Sequence, residues 1–247
     1  MPPGPLCRLG AFAMNYYSLA ISPTTLSRMK LPRKAHAVIF DMDGLIVDTE
    51  PLYRDAIMAA AGDGGHDMPL TLYLTMIGLS GEATRALFNE RFGKGFDFDD
   101  FWTRASKRFY ELAASQLRLK VGVVELLDLL DDLRLPRAIA TSSHHEDVRH
   151  HLDAHGLLDR FQAVVAQGDY ARGKPNPDPY LKAAERLRVE PALCLALEDS
   201  YNGVRAASNA GMMTIMVPDL QAATAEMEKL CVCIAQDLRQ VCALMKS

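Results

Sequence analysis

With 247 residues, 49% of them hydrophobic and 23% charged, the chain has enough apolar material for one large domain or one domain with an insertion, and it falls in the ordinary soluble globular class. A net charge of -4 gives no general attraction to nucleic acid or to an anionic membrane, so an anionic partner has to be met by local positive charge. No apolar run is long enough to span a bilayer.

Residues 1–34 contain no Asp or Glu. Pro2, Pro3 and Pro5 leave no clean charged n-region, and no small-residue cleavage site is evident. The stretch reads as a poorly ordered extension, or as vector or start-site residue, because Met14 and Met29 are also possible starts. Ala37-Val38-Ile39-Phe40 then reads as a buried strand, and it breaks at once into the acidic loop Asp41-Met42-Asp43-Gly44. Loops after parallel strands gather around one crevice. Two carboxylates this close repel each other unless a cation lies beside them, which favours a hard divalent ion with oxygen ligands, most simply Mg2+. The alternative is a surface turn, in which Asp and Gly are ordinary residues.

Helical patterns follow over Pro51 to Ala61, Pro69 to Met76, Glu82 to Phe92 with Ser80 as candidate N-cap, and Phe98 to Gln116. Residues 62–65, Gly-Asp-Gly-Gly, stop the first. Four helical segments with no strand between them predict an inserted helical cap over residues 51–120, hinged near Glu50 and near Lys120-Val121-Gly122.

Beyond Gly122 helix and strand alternate. The expected helices are Val123 to Arg134, His144 to His155, Asp178 to Leu187 and Gly203 to Ala210, with one more at the C-terminus. The expected strands are Ala138 to Thr141, Ala163 to Ala166, Leu193 to Leu197, Thr214 to Val217 and Val232 to Ala235. This alternation predicts an α/β fold, a doubly wound, Rossmann-like parallel sheet built from residues 35–50 and 121–247, with the helical cap inserted between them.

Five cysteines, an odd and scattered set, argue against a disulfide framework and for a reducing, cytoplasmic location. Cys231-Val232-Cys233 lacks the further ligands of a zinc site, and its two thiols are expected to share one face of a strand. Asp147, His151 and His155 share a helical face and could chelate a metal, but His155 also continues the apolar stripe of Val148 and Leu152. The favoured reading is a solvated helix with one partly packed histidine, while His144, close after Thr141, is held as a substrate contact.

Four segments carry chemistry in a fixed order: Asp41-Met42-Asp43-Gly44 followed by Asp48-Thr49-Glu50, Thr141 at the end of Ala138-Ile139-Ala140, Lys174 in Gly173-Lys174-Pro175-Asn176-Pro177-Asp178, and Glu198-Asp199 after Leu195-Ala196-Leu197. Each alone has a bland reading as a strand end, a turn or a helix start, and the bland readings would have to coincide four times. Together they resemble the haloacid dehalogenase superfamily, from about Ala35 to the last residues, in the helical-cap branch that holds sugar-phosphate, phosphoglycolate and pseudouridine phosphate phosphatases and β-phosphoglucomutases. The resemblance implies a Mg2+-dependent phosphatase with Asp41 as nucleophile forming an aspartyl-phosphate and Asp43 as general acid and base. Lys174 would neutralise charge, and the Thr141 hydroxyl and the Ser142 N–H would hold the phosphoryl group. Mg2+ would be held by the Asp41 and Asp199 carboxylates and the Asp43 carbonyl, with Glu198 in or beside the ligand set.

Gly44, Ser142, Tyr53, Ser80, Arg85 and His144 are read as substrate-binding. Dehalogenases lack the second carboxylate of the first motif, so Asp43 argues against dehalogenation. The partner implied is a small phosphorylated metabolite, with neither nucleic acid nor membrane, for a monomer or small homo-oligomer. A β-phosphoglucomutase-like phosphosugar mutase is one alternative. Against it, the positions where mutases carry a histidine and a basic pair are Tyr53, Ile77 and Gly81 here. A non-catalytic phosphometabolite-binding protein is the other, which the intact acidic and basic motif residues argue against.

Overall fold

The computed structural model of the chain describes residues 30–76, 81–93 and 95–246. In chain order these form β1 (Ala37–Phe40), the helices α1 (Glu50–Asp63), α2 (Leu70–Met76), α3 (Gly81–Phe92) and α4 (Phe98–Gln116), and then α5 (Val123–Asp132), β2 (Arg137–Ala140), α6 (His145–Asp153) and β3 (Ala163–Val165). The remainder is α7 (Asp178–Leu187), β4 (Cys194–Glu198), α8 (Tyr201–Asn209), β5 (Met213–Met216), α9 (Ala225–Leu230), β6 (Cys233–Ile234) and α10 (Leu238–Met245). The sheet order is β3-β2-β1-β4-β5-β6, and every pairing is parallel.

Both faces of the sheet are covered, which explains why its strands read as continuous apolar runs. Along β1 the side chains alternate: Val38 and Phe40 face α5, α6 and α10, while Ala37 and Ile39 face α7 and α8. The first face is filled by Leu126, Leu127, Leu130, Leu152 and Val241. The second is lined by small residues, Ala183, Ala184, Ala206 and Ala207, with Tyr180 wholly buried among them. Burial of each large side chain such as Phe40 or Ile39 contributes roughly 1.5–3 kcal/mol. The result is the doubly wound, Rossmann-like architecture with an inserted helical cap.

Helices α1 to α4 have an apolar core of their own. Phe88 and Phe101 are fully buried with ring centroids 4.9 Å apart, and Phe98 meets Phe88 edge-on at 5.6 Å. Where α1 and α4 approach the sheet, Tyr53 stacks on Phe109 at 3.8 Å with only 9° between the rings. The two chain segments that join these helices to the rest run side by side. The Asp48 N–H donates to Arg118 O and the Lys120 N–H to Ile46 O, both at 2.9 Å.

Several elements differ from the sequence expectation. Helix α9 was not signalled by periodicity, because only Met227 of its six residues is buried; Thr224, whose hydroxyl accepts from the Met227 N–H, was the available cue. Strand β2 ends at Ala140, leaving Thr141 in the loop, and α6 ends at Asp153. Cys231 and Cys233 do not share a strand face. Cys231 caps α9 and packs beside Val204 and Met227, whereas Cys233 belongs to β6 and the main core. The packed histidine of α6 is His151, 1% exposed and edge-on to Phe109, rather than His155. Ser80, Ile77 and the first 29 residues, on which expectations were placed, lie outside the described residues. Among the described residues no helix is long and apolar enough to cross a membrane.

Candidate active site

Strand order reverses between β1 and β4, and the carboxyl ends of these strands carry the acidic residues. Asp41 is the first residue past β1; its N–H donates to Leu197 O of β4 at 3.0 Å, so the loop starts from a fixed point. Gly44 turns that loop with φ +78°. A Cβ there would lie 2.4 Å from Asp199 Oδ2, so only glycine lets the loop pass this close.

Lys174, in the loop before α7, puts its Nζ against Asp41 Oδ1 and 2.5 Å from Glu198 Oε1. Glu198 is wholly buried and saturated. It accepts the Tyr180 hydroxyl at 2.6 Å, and its Oε2 accepts the Ser200 hydroxyl and the Asp199 N–H at 3.1 Å each. Gly203 of α8 makes room for this carboxylate, since a Cβ there would fall within 1.8–2.1 Å of its atoms. In the loop just past β2, Thr141 is 1% exposed and its Oγ1 accepts the Ser143 N–H at 3.0 Å. The Ser143 hydroxyl donates to Asp43 Oδ2 at 2.6 Å, while Asp43 Oδ1 is buried with no hydrogen-bond partner.

Asp41, Asp43, Ser142, Lys174 and Asp199 therefore line one cleft of about 210 Å3, which Glu50, Leu220 and Gln221 also border. Burial pushes the Asp41 carboxyl up to about 7, with the neighbouring Glu198 and Asp43 charges adding to the rise and Lys174 opposing it. Burial and the Asp41 charge likewise hold Asp199 well above the ordinary carboxylate range. Burial opposes the charge on Lys174, but the Asp41 and Glu198 carboxylates outweigh it and hold its pKa above the usual. Oxygens of Asp41, Glu198 and Asp199 all come within 4.8 Å of one another. Two buried carboxylates and the half-buried Asp199 against one ammonium, with an orphaned Asp43 oxygen alongside, form an all-oxygen donor set with surplus negative charge. It fits a hard divalent cation.

The residues expected to bind substrate divide. Ser142 lines the cleft, whereas Gly44 is not one of its lining residues and instead turns the loop against Asp199. Tyr53 sits behind it, stacked on Phe109, with burial and the Asp43 charge raising its hydroxyl pKa. Arg85 is engaged elsewhere in the cap, forked onto Asp99 and lying 4.5 Å over the Phe98 ring. His144 is an exposed residue at the start of α6, where its N–H donates to Asp147 Oδ2 at 3.0 Å. Sequence reasoning missed Ser143, Tyr180, Glu50 and the loop through Leu220. Ser143 was within reach, as it lies two residues past Thr141; Tyr180 and Leu220 carry no sequence signal that distinguishes them from helix core and loop.

Residues 35–211 match the family of haloacid dehalogenase-like hydrolases. Among curated relatives, hexitol phosphatase B of Escherichia coli is 33% identical over 201 residues, 78% of this chain and 88% of that one. The phosphorylated carbohydrates phosphatase of Thermotoga maritima is 32% identical over 179 residues, 72% of this chain and 83% of its own. The crystal structure of CbbY from Rhodobacter sphaeroides in complex with phosphate superposes with a TM-score of 0.72 at 25% identity, over 85% of this chain and 99% of that one. The chain belongs to the haloacid dehalogenase-like hydrolases, among their phosphatases.

Proposed function

We propose that the protein is a Mg2+-dependent phosphatase that hydrolyses a small, sugar-like phosphate monoester through an aspartyl-phosphate. The observation that carries this reading is the convergence of Asp41, Lys174, Asp43 and Ser142 on one cleft at the ends of β1 and β2. Asp41 attacks phosphorus as the ester bond breaks, and Asp43 gives its proton to the departing alcohol oxygen. In the second half Asp43 takes a proton from the water that attacks phosphorus, which frees phosphate and restores the Asp41 carboxylate. Lys174 neutralises the nucleophile and the phosphoryl oxygens, and Thr141 with the Ser142 N–H orients them. Held by the Asp41 and Asp199 carboxylates and the Asp43 carbonyl, the divalent cation would draw negative charge off the phosphoryl group. Glu198, with its oxygens taken up by Lys174, Tyr180 and Ser200, positions Lys174 and Asp199.

The names of the hexitol and carbohydrate phosphatases support a sugar-like leaving group for this chain too. Among its described lining residues the cleft has one cation, Lys174, which suits a substrate with a single phosphate. A panel of sugar and polyol monophosphates, assayed for free phosphate with Mg2+, tests the reading. Turnover is expected to stop on chelation and to return with Mg2+, while Ca2+ restores little because its looser coordination misplaces the reacting groups. Full activity after exhaustive chelation would overturn the metal dependence.

A further inference from the structure

Asp219 takes no part in the chemistry above, yet it stands beside it. It lies three residues past β5, in a loop whose Val217 N–H donates to Glu198 O at 2.7 Å, next to Asp199. One carboxylate oxygen, Oδ1, accepts from Lys120 Nζ at 2.7 Å. The other, Oδ2, is buried with no hydrogen-bond partner. It faces the bare Cα of Gly44, 3.3 Å from the point a Cβ would occupy, and Asp199 Oδ2 lies 2.4 Å from that same point. The two carboxylate oxygens are therefore within about 6 Å of each other.

Lys120 explains why Asp219 stays in this arrangement. Its Nζ also contacts Asp48 Oδ1 at 3.2 Å, and its N–H donates to Ile46 O, so it is fixed to the loop that carries Asp41 and Asp43. It satisfies one oxygen of Asp219 and aims the other at the site. Lys174 is already committed to Asp41 and Glu198. Asp199 and Asp219 thus face each other, and among the described residues no ion pair places a cation between them. Like charges in a buried setting repel, and such a pair becomes favourable when a divalent cation lies beside it. Asp219 falls outside the set of carboxylates whose oxygens come within 4.8 Å of one another, so its influence is exerted from a second layer.

We propose that Asp219 is a positioning residue of the cation site, an outer carboxylate held on Lys120 that strengthens divalent-cation binding at Asp41 and Asp199 without ligating the ion. The inference rests on the metal-dependent reading above. A purely structural Lys120–Asp219 salt bridge makes the opposite predictions, stability lost and cation affinity kept.

Calorimetric titration of the full chain with Mg2+ after chelator treatment, alongside thermal unfolding, tests it. Asp219→Asn is expected to raise the Kd for Mg2+ about tenfold and to leave the cation-free Tm unchanged or higher, because one of two facing charges is gone. Lys120→Met is expected to weaken Mg2+ binding as well, although loss of a positive charge by itself would strengthen it. Wild-type affinity in Asp219→Asn, or a lower cation-free Tm with the Mg2+-induced rise preserved, overturns the inference and leaves the metal-dependent reading standing. Tighter binding by Lys120→Met overturns the anchoring role. A wild-type chain that binds no Mg2+ overturns both readings.

Discussion

Lys174 is in direct contact with Asp41 across 133 residues of sequence, and both side chains are at least 90% buried. An ammonium against a carboxylate at the end of a central strand keeps the acid's unprotonated form accessible where burial alone would suppress it. In the proposed reaction the contact also orients the Asp41 carboxylate for attack. Asp41→Asn is therefore expected to lower turnover by roughly 10^3-fold or more while the fold and the melting temperature are kept. Steady-state kinetics and circular dichroism on the purified variant check this; substantial phosphatase activity in a folded Asp41→Asn protein removes Asp41 as nucleophile.

Ser143 holds Asp43 by a 2.6 Å hydrogen bond, and this orientation matters only when a proton must be delivered. Ser143→Ala should slow hydrolysis of alkyl phosphates by about tenfold to a hundredfold. Esters of acidic phenols, which leave without help, should be affected much less. Equal losses for both kinds of ester would show that Ser143 does not act through Asp43.

How much of this was legible in the sequence depends on the range of each interaction. The strand at Ala37–Phe40, the acidic loop after it and the alternation beyond Gly122 are local patterns, and they gave the sheet and the cap. The order of four short motifs led to the expectation that Asp41, Thr141, Lys174 and Asp199 meet; Asp41, Lys174 and Asp199 line the cleft, with Ser142 rather than Thr141 beside them. The Tyr180 hydroxyl on Glu198 and the Lys120 bridge to Asp219 depend on helices and loops meeting in space, 18 and 99 residues apart. Arg85 shows the converse: it lies one helical turn past the expected loop, but the pairing with Asp99 that engages it is a cap contact that no spacing rule foretells.

Gly203 is a position where one methyl group should be felt. A Cβ within 1.8–2.1 Å of the Glu198 carboxylate must displace a group held by Lys174, Tyr180 and Ser200. Gly203→Ala should cost about 1–3 kcal/mol of stability, the usual range for overpacking, and should weaken Mg2+ binding. Denaturant unfolding with and without Mg2+ measures both, and wild-type values for the two would show that α8 shifts freely.

His151 is packed edge-on against Phe109, and burial holds its pKa below the ordinary histidine value; the His150 charge adds to this, while Asp43 and Asp147 oppose it. Because the unfolded chain then binds a proton more readily than the folded one, stability is full above about pH 6.5 and declines as pH falls below it. The Tm is expected to drop by a few degrees between pH 7 and pH 5, and His151→Leu should flatten that slope. An unchanged slope in the variant would assign the acid sensitivity to other groups.

Phosphatase against mutase turns on where a second phosphate could be gripped. A mutase must hold a bisphosphorylated intermediate, turn it over and take back its phosphoryl group, which requires cations at both ends of the cleft. Here the one lining cation among the described residues is Lys174, at the nucleophile end. Arg85 is forked onto Asp99, and Lys120 onto Asp48 and Asp219. The cleft is otherwise bordered by Glu50, Leu220 and Gln221, of which Glu50 is an acid partnered by the Tyr73 hydroxyl at 3.0 Å. A second phosphate would meet the Glu50 carboxylate there, so under the proposed reaction the dephosphorylated alcohol is expected to leave and water to take the aspartyl-phosphate. Incubation with β-glucose 1-phosphate and a catalytic amount of the bisphosphate is expected to release phosphate at least about tenfold faster than it forms glucose 6-phosphate, since one missing charged contact costs on the order of 1.4 kcal/mol or more. Glucose 6-phosphate appearing faster than free phosphate would reverse the assignment and place a cation in the cleft that these contacts do not supply.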